Sequence, residues 1–199
     1  ASKQELLDAL FGGQSDKSTV HNLYMTIYRL KSLLYTLDSE RKLIRLTEDN
    51  RLNIAPGVCD FTDFMRFGQE NAIITGENAA EAAHMLGLCR GPYLEKESFE
   101  WTGEVANEIE TEYERISLGL GSYYISKGCL QEAEHIIESL LLRNELCEEA
   151  HTLLLDLTLR LGNRDAYLRY YEQYARMLKK ELRLQPAARY REEYYRLKH

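Results

Sequence analysis

Proline is nearly absent from this chain of 199 residues: there are three, Pro56, Pro92 and Pro186. From Ser98 to Gln185 there is none. A proline inside a helix costs about 3 kcal/mol, so that tract reads as helical throughout. Long apolar runs are also missing. No stretch approaches the roughly 20 apolar residues needed to cross a bilayer. The opening ASKQELLDAL is polar and amphipathic, without the basic start and apolar run of a secretory signal. The four cysteines, Cys59, Cys89, Cys129 and Cys147, are widely spaced and form no CxxC pair. They read as reduced thiols of a cytoplasmic protein. Cys147 and His151 stand four residues apart, but one such pair lacks the other two ligands of a zinc site. There is no GxxxxGKS/T loop, no HExxH and no GxSxG, so catalysis finds little support. His135, between Glu134 and Glu138, sits in a charged helical stretch and reads as solvated. No enzyme activity, catalytic residue, metal, cofactor or membrane partner is expected.

What is present is charge, unevenly spread. The net of −7, taken whole, argues against a nucleic-acid partner. Its distribution says something different. Residues 1–56 hold eight Lys/Arg and seven Asp/Glu, residues 57–159 hold six and twenty, and residues 160–199 hold eleven and five. The acidity belongs to the middle. The first segment is near neutral, which leaves room for a basic face. A hydrophobic content of 44% with 29% charged residues fits an ordinary globular protein of one or two domains.

Periodicity then divides the chain. KQELLDALF, residues 3–11, places Leu6, Leu7, Leu10 and Phe11 at helical spacing, and Gly12-Gly13 ends the helix. Ser15 or Asp16 can cap the next helix, which runs to about Tyr35. Val20, Leu23, Ile27, Leu30 and Leu34 form its apolar stripe, and Thr19, Asn22, Thr26 and Arg29 the opposite face. Residues 41–54, RKLIRLTEDNRLNI, alternate as a hairpin with EDN at its tip, and Pro56-Gly57 closes the unit. Asp60 can cap the first helix after the hairpin, and beyond it only helices are predicted: 61–72, 78–89, about 101–126, 130–143, 148–161, 164–182 and one after Pro186, with Pro186 suited to the first turn. Gly128 and Gly162 lie 34 residues apart, followed by Ala133 and Ala166. Glycine permits the tight turn and alanine the close approach of two helices, which is the logic of a tetratricopeptide repeat.

Helix, glycine turn, polar-faced helix and hairpin are the parts of a DNA reader: a brace, a helix for the major groove, and a wing. ASKQELLDALFGG followed by STVHNLYMTIYRLKSLL resembles the second and third helices of the response-regulator-type winged helix. The recognition helix there ends in I-x-R-L-R-x-x-L; Ile27, Arg29, Leu30, Lys31 and Leu34 fit, with Lys for the second Arg. LIRLTEDNRLNI matches the wing. NAAEAAHMLGLCRGPYLEKESFEW resembles part of the bacterial transcriptional activator domain. ISKGCLQEAE and ELCEEAHTLLLDLTLRLGNRDAYLRYYEQYARMLKKELRLQPA are similar to its later helices. The matching features are Glu148, Gly162-Asn163-Arg164, Tyr170 or Tyr171, and L-x-x-E-L-x-x-x-P at Leu178, Glu181, Leu182 and Pro186. The likeness, to activators typified by antibiotic-pathway regulators, covers nearly the whole chain.

The resemblance implies a mainly α fold. A partial winged helix-turn-helix with a β-hairpin wing would occupy residues 1–56, and an all-helical, tetratricopeptide-like activator domain residues 57–199. It also implies an N-terminally truncated fragment, because the family's small sheet and first helix would lie upstream. Leu6, Leu10, Val20 and Ile27 would then be exposed or repacked. The DNA-binding candidates are Ser18, Thr19, Asn22, Thr26, Arg29 and Lys31 on the helix, with Arg45 and Arg51 on the wing. Asn pairs with adenine, Arg with guanine or phosphate, and Thr with either. Ser18 and Thr19 stand near a helix start, where backbone N–H groups bind phosphate. His21 suits a phosphate or a plain surface; Glu48 and Asp49 would repel phosphate from the wing tip. A merely solvated helix face is the alternative for the group.

Trp101 reads as a packing residue between helices, with an interface anchor as the alternative. Tyr167, Tyr170, Tyr171, Tyr174, Tyr190, Tyr194 and Tyr195, beside eleven basic residues, suit either single-stranded nucleic acid or, preferably, repeat packing with a basic outer face. The expected function is a cytoplasmic DNA-binding transcriptional regulator, by resemblance an activator, with the output part of a two-component response regulator as one form. Operator DNA would be bound through the parent protein, and RNA polymerase or a second copy through the helical domain. The alternative is a tetratricopeptide-type interaction scaffold that no longer binds DNA.

Overall fold

The structure, a computed structural model, describes residues 2–40, 42–94 and 102–199. Trp101 and the acidic residues before it lie outside the described residues. The mainly α fold expected from the periodicity is present, with one small hairpin. The chain divides into two compact units, Ala1–Asp63 and Phe64–His199.

In the first unit, α1 (Lys3–Phe11) opens on a reciprocal cap: Ser2 Oγ accepts from the Glu5 N–H, and Glu5 Oε2 accepts from the Ser2 N–H. Gly12 closes it at φ 59°, a conformation that costs glycine nothing. α2 (Lys17–Leu37) starts on Asp16 and runs two residues beyond Tyr35. α1 and α2 pack together, and Leu7 and Leu23 are their fully buried side chains. The rest of the stripe is less covered: Val20, Ile27 and Leu34 are half-buried, and Leu10 and Leu30 are exposed.

Next come β1 (Ile44–Leu46) and β2 (Leu52–Ile54), paired antiparallel with Arg45 opposite Asn53. Alternation puts Ile44, Leu46, Leu52 and Ile54 on one face, Arg45 and Asn53 on the other. The Asp38 carboxylate accepts from the N–H groups of Leu43 (2.6 Å) and Ile44 (2.9 Å), pinning the hairpin to the end of α2. Asp60 proves to be the first residue of α3 (Asp60–Glu70) rather than its cap; with Asp63 it places two carboxylates in the first turn, where the helix dipole favours them.

The second unit is a stack of helices. α4 (Ala79–Leu88), α5 (Thr102–Lys127), α6 (Leu130–Arg143), α7 (Glu148–Leu161), α8 (Arg164–Met177) and α9 (Ala188–Lys198) make it up, and each from α5 onward packs on the one before it. That serial packing is repeat-like. Gly128 (φ 78°) and Gly162 (φ 64°) make the two turns, and Ala133 and Ala166 are buried where helices approach. The stretch read as one helix over 164–182 has two windings. After Met177 it widens into a π-helical turn, Leu178–Leu182, which keeps Leu178 in the core and leaves Leu182 exposed. Pro186 stands just before α9, not in its first turn.

Side chains lock the stack. Arg115 on α5 donates to the carbonyls of Gly68, Asn71 and Ala72, satisfying the open end of α3, while Glu112 holds its guanidinium. Arg143 on α6 donates to Glu110 and to the Cys89 carbonyl, and lies over the Tyr113 ring at 4.3 Å. Of the seven late tyrosines only Tyr195 is exposed. Tyr170 donates to Glu134 and Glu138, Tyr174 to Glu148 (2.7 Å), Tyr194 to Glu172 (2.7 Å) and Tyr167 to the Tyr190 carbonyl (2.9 Å). They are packing residues, and burial raises the pKa of Tyr167, Tyr170 and Tyr174. Burial likewise pushes the Cys147 thiol up to about 11. His151 is buried against Tyr174, with ring centroids 5.1 Å apart. Its Nε2–H donates to the Glu145 carbonyl at 2.9 Å, a carbonyl having nothing to donate.

Two outcomes are expected. A Cβ on Gly121 would meet Ile137, itself fully buried, at 2.6 Å. Gly121→Ala should therefore destabilise the chain by about 1–3 kcal/mol, seen as a lower urea midpoint; an unchanged midpoint would contradict this packing. Burial also holds His151 below its ordinary value of 6.5. The unfolded chain then binds that proton more tightly, so the stability contributed by neutral His151 is complete above the ordinary value and is lost as pH falls through the lower folded value. The wild-type urea midpoint should fall more steeply on acidification from about pH 7 than that of His151→Gln; parallel pH profiles would rule the effect out.

Candidate nucleic-acid interface

α2 carries no Asp or Glu along its 21 residues, only Lys17, Arg29, Lys31 and His21 among titratable groups that can be cationic. In a chain with 32 carboxylates this is a local reversal of sign. Arg29, Lys31 and Arg45 make no ion pair with any described residue. Their charge is open to an external anion.

The start of α2 is already occupied. Asp16 Oδ1 accepts from the N–H groups of Ser18 (2.8 Å) and Thr19 (3.0 Å), and Oδ2 accepts the Thr19 hydroxyl at 2.6 Å. These bonds, the Thr19 hydroxyl first, hold the Asp16 carboxyl below its usual range. Thr19, which the sequence places on the polar face, is 8% exposed and committed to this cap. Ser18 is exposed, but its backbone N–H is spent. The helix dipole is met here by the protein's own carboxylate.

Further along, Asn22, Thr26 and Arg29 are exposed on one stripe, as their spacing predicts. The Thr26 hydroxyl donates to the Asn22 carbonyl at 2.9 Å, so outward it offers lone pairs and a methyl, not a proton. Lys31 and Arg45 come together at a cleft of about 360 Å³ between the second half of α2 and β1, with Leu34 and Tyr35 in its wall. Glu48 lines the same cleft, so two cations stand against one carboxylate there, and a backbone phosphate is suited to the Lys31 and Arg45 side of it. Arg51 stands apart, on the far side of the turn, paired with Asp49 at 2.9 Å. Both side chains of that pair are well exposed, and such a pair is weak enough for a phosphate to compete. Asp49 itself is held below its usual range, chiefly by the Thr47 hydroxyl at 2.5 Å.

Sequence reasoning missed the ridge that points straight away from the core. With Leu23 buried and about 100° per residue, the opposite side of α2 is His21, Met25, Tyr28 and Ser32, all exposed. The stripe of Asn22, Thr26 and Arg29 flanks it on one side, and Tyr24, Lys31 and Tyr35 on the other. Tyr28 is 67% and Tyr24 57% exposed. The apolar stripe was readable, but its spacing alone puts Thr19, Asn22, Thr26 and Arg29 on the side opposite it, whereas Asn22, Thr26 and Arg29 flank the outward ridge.

Residues 59–198 match the family model of the bacterial transcriptional activator domain. α2 and the hairpin precede the matched residues. No curated protein matches the chain.

Proposed function

The chain belongs to the bacterial transcriptional activator domain family, a family associated with transcriptional activation, and from that premise we propose that it is a DNA-binding transcriptional activator acting in the cytoplasm. Residues 1–56 form the DNA-reading part, a partial winged helix, and residues 57–199 the regulatory part. α2 enters the major groove, and the hairpin acts as the wing along the adjacent backbone. Asn22, Thr26 and Arg29 face base edges. Lys31 and Arg45 grip a phosphate from the two sides of their cleft, Ser18 and Thr19 lie at the groove's rim, and Arg51 exchanges Asp49 for a second phosphate. The helical stack meets RNA polymerase or a second copy, and the output part of a two-component response regulator is one form of this reading. The observation that carries the reading is the carboxylate-free, cation-bearing α2 in a chain whose net charge is −7.

The acidic middle, residues 57–159, favours a second reading, a tetratricopeptide-type scaffold that binds a protein and no operator.

Mobility shifts of the chain on promoter duplexes separate the two. A sequence-dependent complex should form and weaken with salt, the slope of log K on log salt falling by about one unit for each phosphate contact removed, as in Lys31→Ala or Arg45→Ala. Arg29→Ala should cost about 1–3 kcal/mol of binding. No salt-sensitive, sequence-dependent shift, with capture of a protein ligand by residues 57–199, would sink the DNA reading and favour the scaffold.

A further inference from the structure

We infer that Met25 and Tyr28 are the specificity-determining residues of α2, reading the C5-methyl groups of thymines in the major groove. This rests on the proposed entry of α2 into that groove. A helix laid in a groove presents deepest the ridge opposite its buried side. Burial of Leu23 makes that ridge His21, Met25, Tyr28 and Ser32, while Asn22, Thr26 and Arg29 sit to one side and reach base edges away from the centre of the contact.

The centre of the ridge is mostly apolar. Met25 carries no hydrogen-bonding proton, and Tyr28 puts an exposed ring beside it, with a hydroxyl only at the ring's tip. Neither makes a hydrogen bond, ion pair or ring contact with a described residue. In the major groove only thymine offers an apolar group, its methyl, and apolar side chains are what recognise it. The charge around the ridge selects the occupant: Arg29, Lys31 and Arg45 flank it, all three unpaired among the described residues, and no carboxylate lies on the helix. A protein segment packing on the aromatic ridge would have to bring three counter-charges; a duplex brings phosphates at the required flanks. Tyr24 and Tyr35, on the Lys31 side, then lie toward the sugar-phosphate wall.

The polar neighbours do the orienting. The Thr26 hydroxyl is spent on the Asn22 carbonyl, so this stripe has fewer donors for base edges than its composition suggests. Discrimination at the centre is left to methyl contacts, and the preferred site contains thymines at the positions under Met25 and Tyr28.

The test is selection from random duplexes with the 199-residue chain, followed by replacement of each thymine of the selected site with deoxyuridine, which removes only the methyl. One or two replacements should each weaken wild-type binding by about four-fold, the worth of one buried methyl. Met25→Ala and Tyr28→Ala should bind the selected site more weakly and lose that sensitivity, whereas Arg29→Ala should bind weakly and keep it. Deoxyuridine without effect, or alanine variants that retain the full penalty, would overturn the inference and leave the DNA reading standing. Selection that returns no duplex would overturn both. Tyr28→Ala that changes only oligomeric state or thermal stability would assign the ridge to a protein contact instead. Both side chains are exposed, so the variants should keep the helical signal of the wild type.

Discussion

The burial of Leu7 and Leu23 fixes the roll of α2, and with it everything the first unit can present to a partner. A helix has only so many ridges. Once Leu23 is inward, Met25 and Tyr28 are outward, and Asn22, Thr26 and Arg29 are displaced to the side. Asp16 fixes the start of the helix and Asp38 ties its end to β1. The hairpin is thereby placed so that Arg45 meets Lys31 at a common cleft. Two carboxylates thus hold in place a helix that itself bears none.

Acidic residues do different work in the helical stack. The excess of Asp and Glu over residues 57–159 suggests a solvated, repelling surface, yet many of them are internal acceptors. Glu134, Glu138 and Glu148 take tyrosine hydroxyls from α8, while Glu110 and Glu112 hold the arginines that tie α6 to the end of α4 and α5 to the end of α3. Bonds from a neutral donor to an ionised acceptor are roughly twice as strong as neutral ones. The tyrosines, protonated at neutral pH in any case, are the donors, and burial raises their pKa further. The late tyrosines and the central acids, read separately as a basic aromatic surface and an acidic one, are in part the two halves of one packing network.

Much of this fold was legible from periodicity and turn chemistry. α6 and α7 begin and end at the residues their apolar spacing predicts, because glycine or loop residues bound them on both sides. Gly128 and Gly162 have the left-handed φ that a tight turn needs. The π-helical turn at Leu178–Leu182 had no such signal, since LKKEL is good α-helical sequence. In the candidate interface, spacing grouped Asn22, Thr26 and Arg29 correctly on one stripe, but it put Thr19 there too. Its hydroxyl belongs to the Asp16 cap, a local bond that competes with any outward role. Tyr24 and Tyr28 escaped notice because an amphipathic ring fits a core, a surface or a groove equally well, and only the roll of the helix decides.

That roll, and the proposal that the outward ridge meets DNA, can be read directly by hydroxyl-radical footprinting of the side chains. Met25 and Tyr28 are exposed and oxidisable, and Tyr195, exposed on the other unit, provides an internal control. Adding a selected duplex should protect Met25 and Tyr28 while Tyr195 continues to oxidise at its free rate. Unchanged oxidation of Met25 and Tyr28 in a saturated complex would contradict DNA recognition through α2.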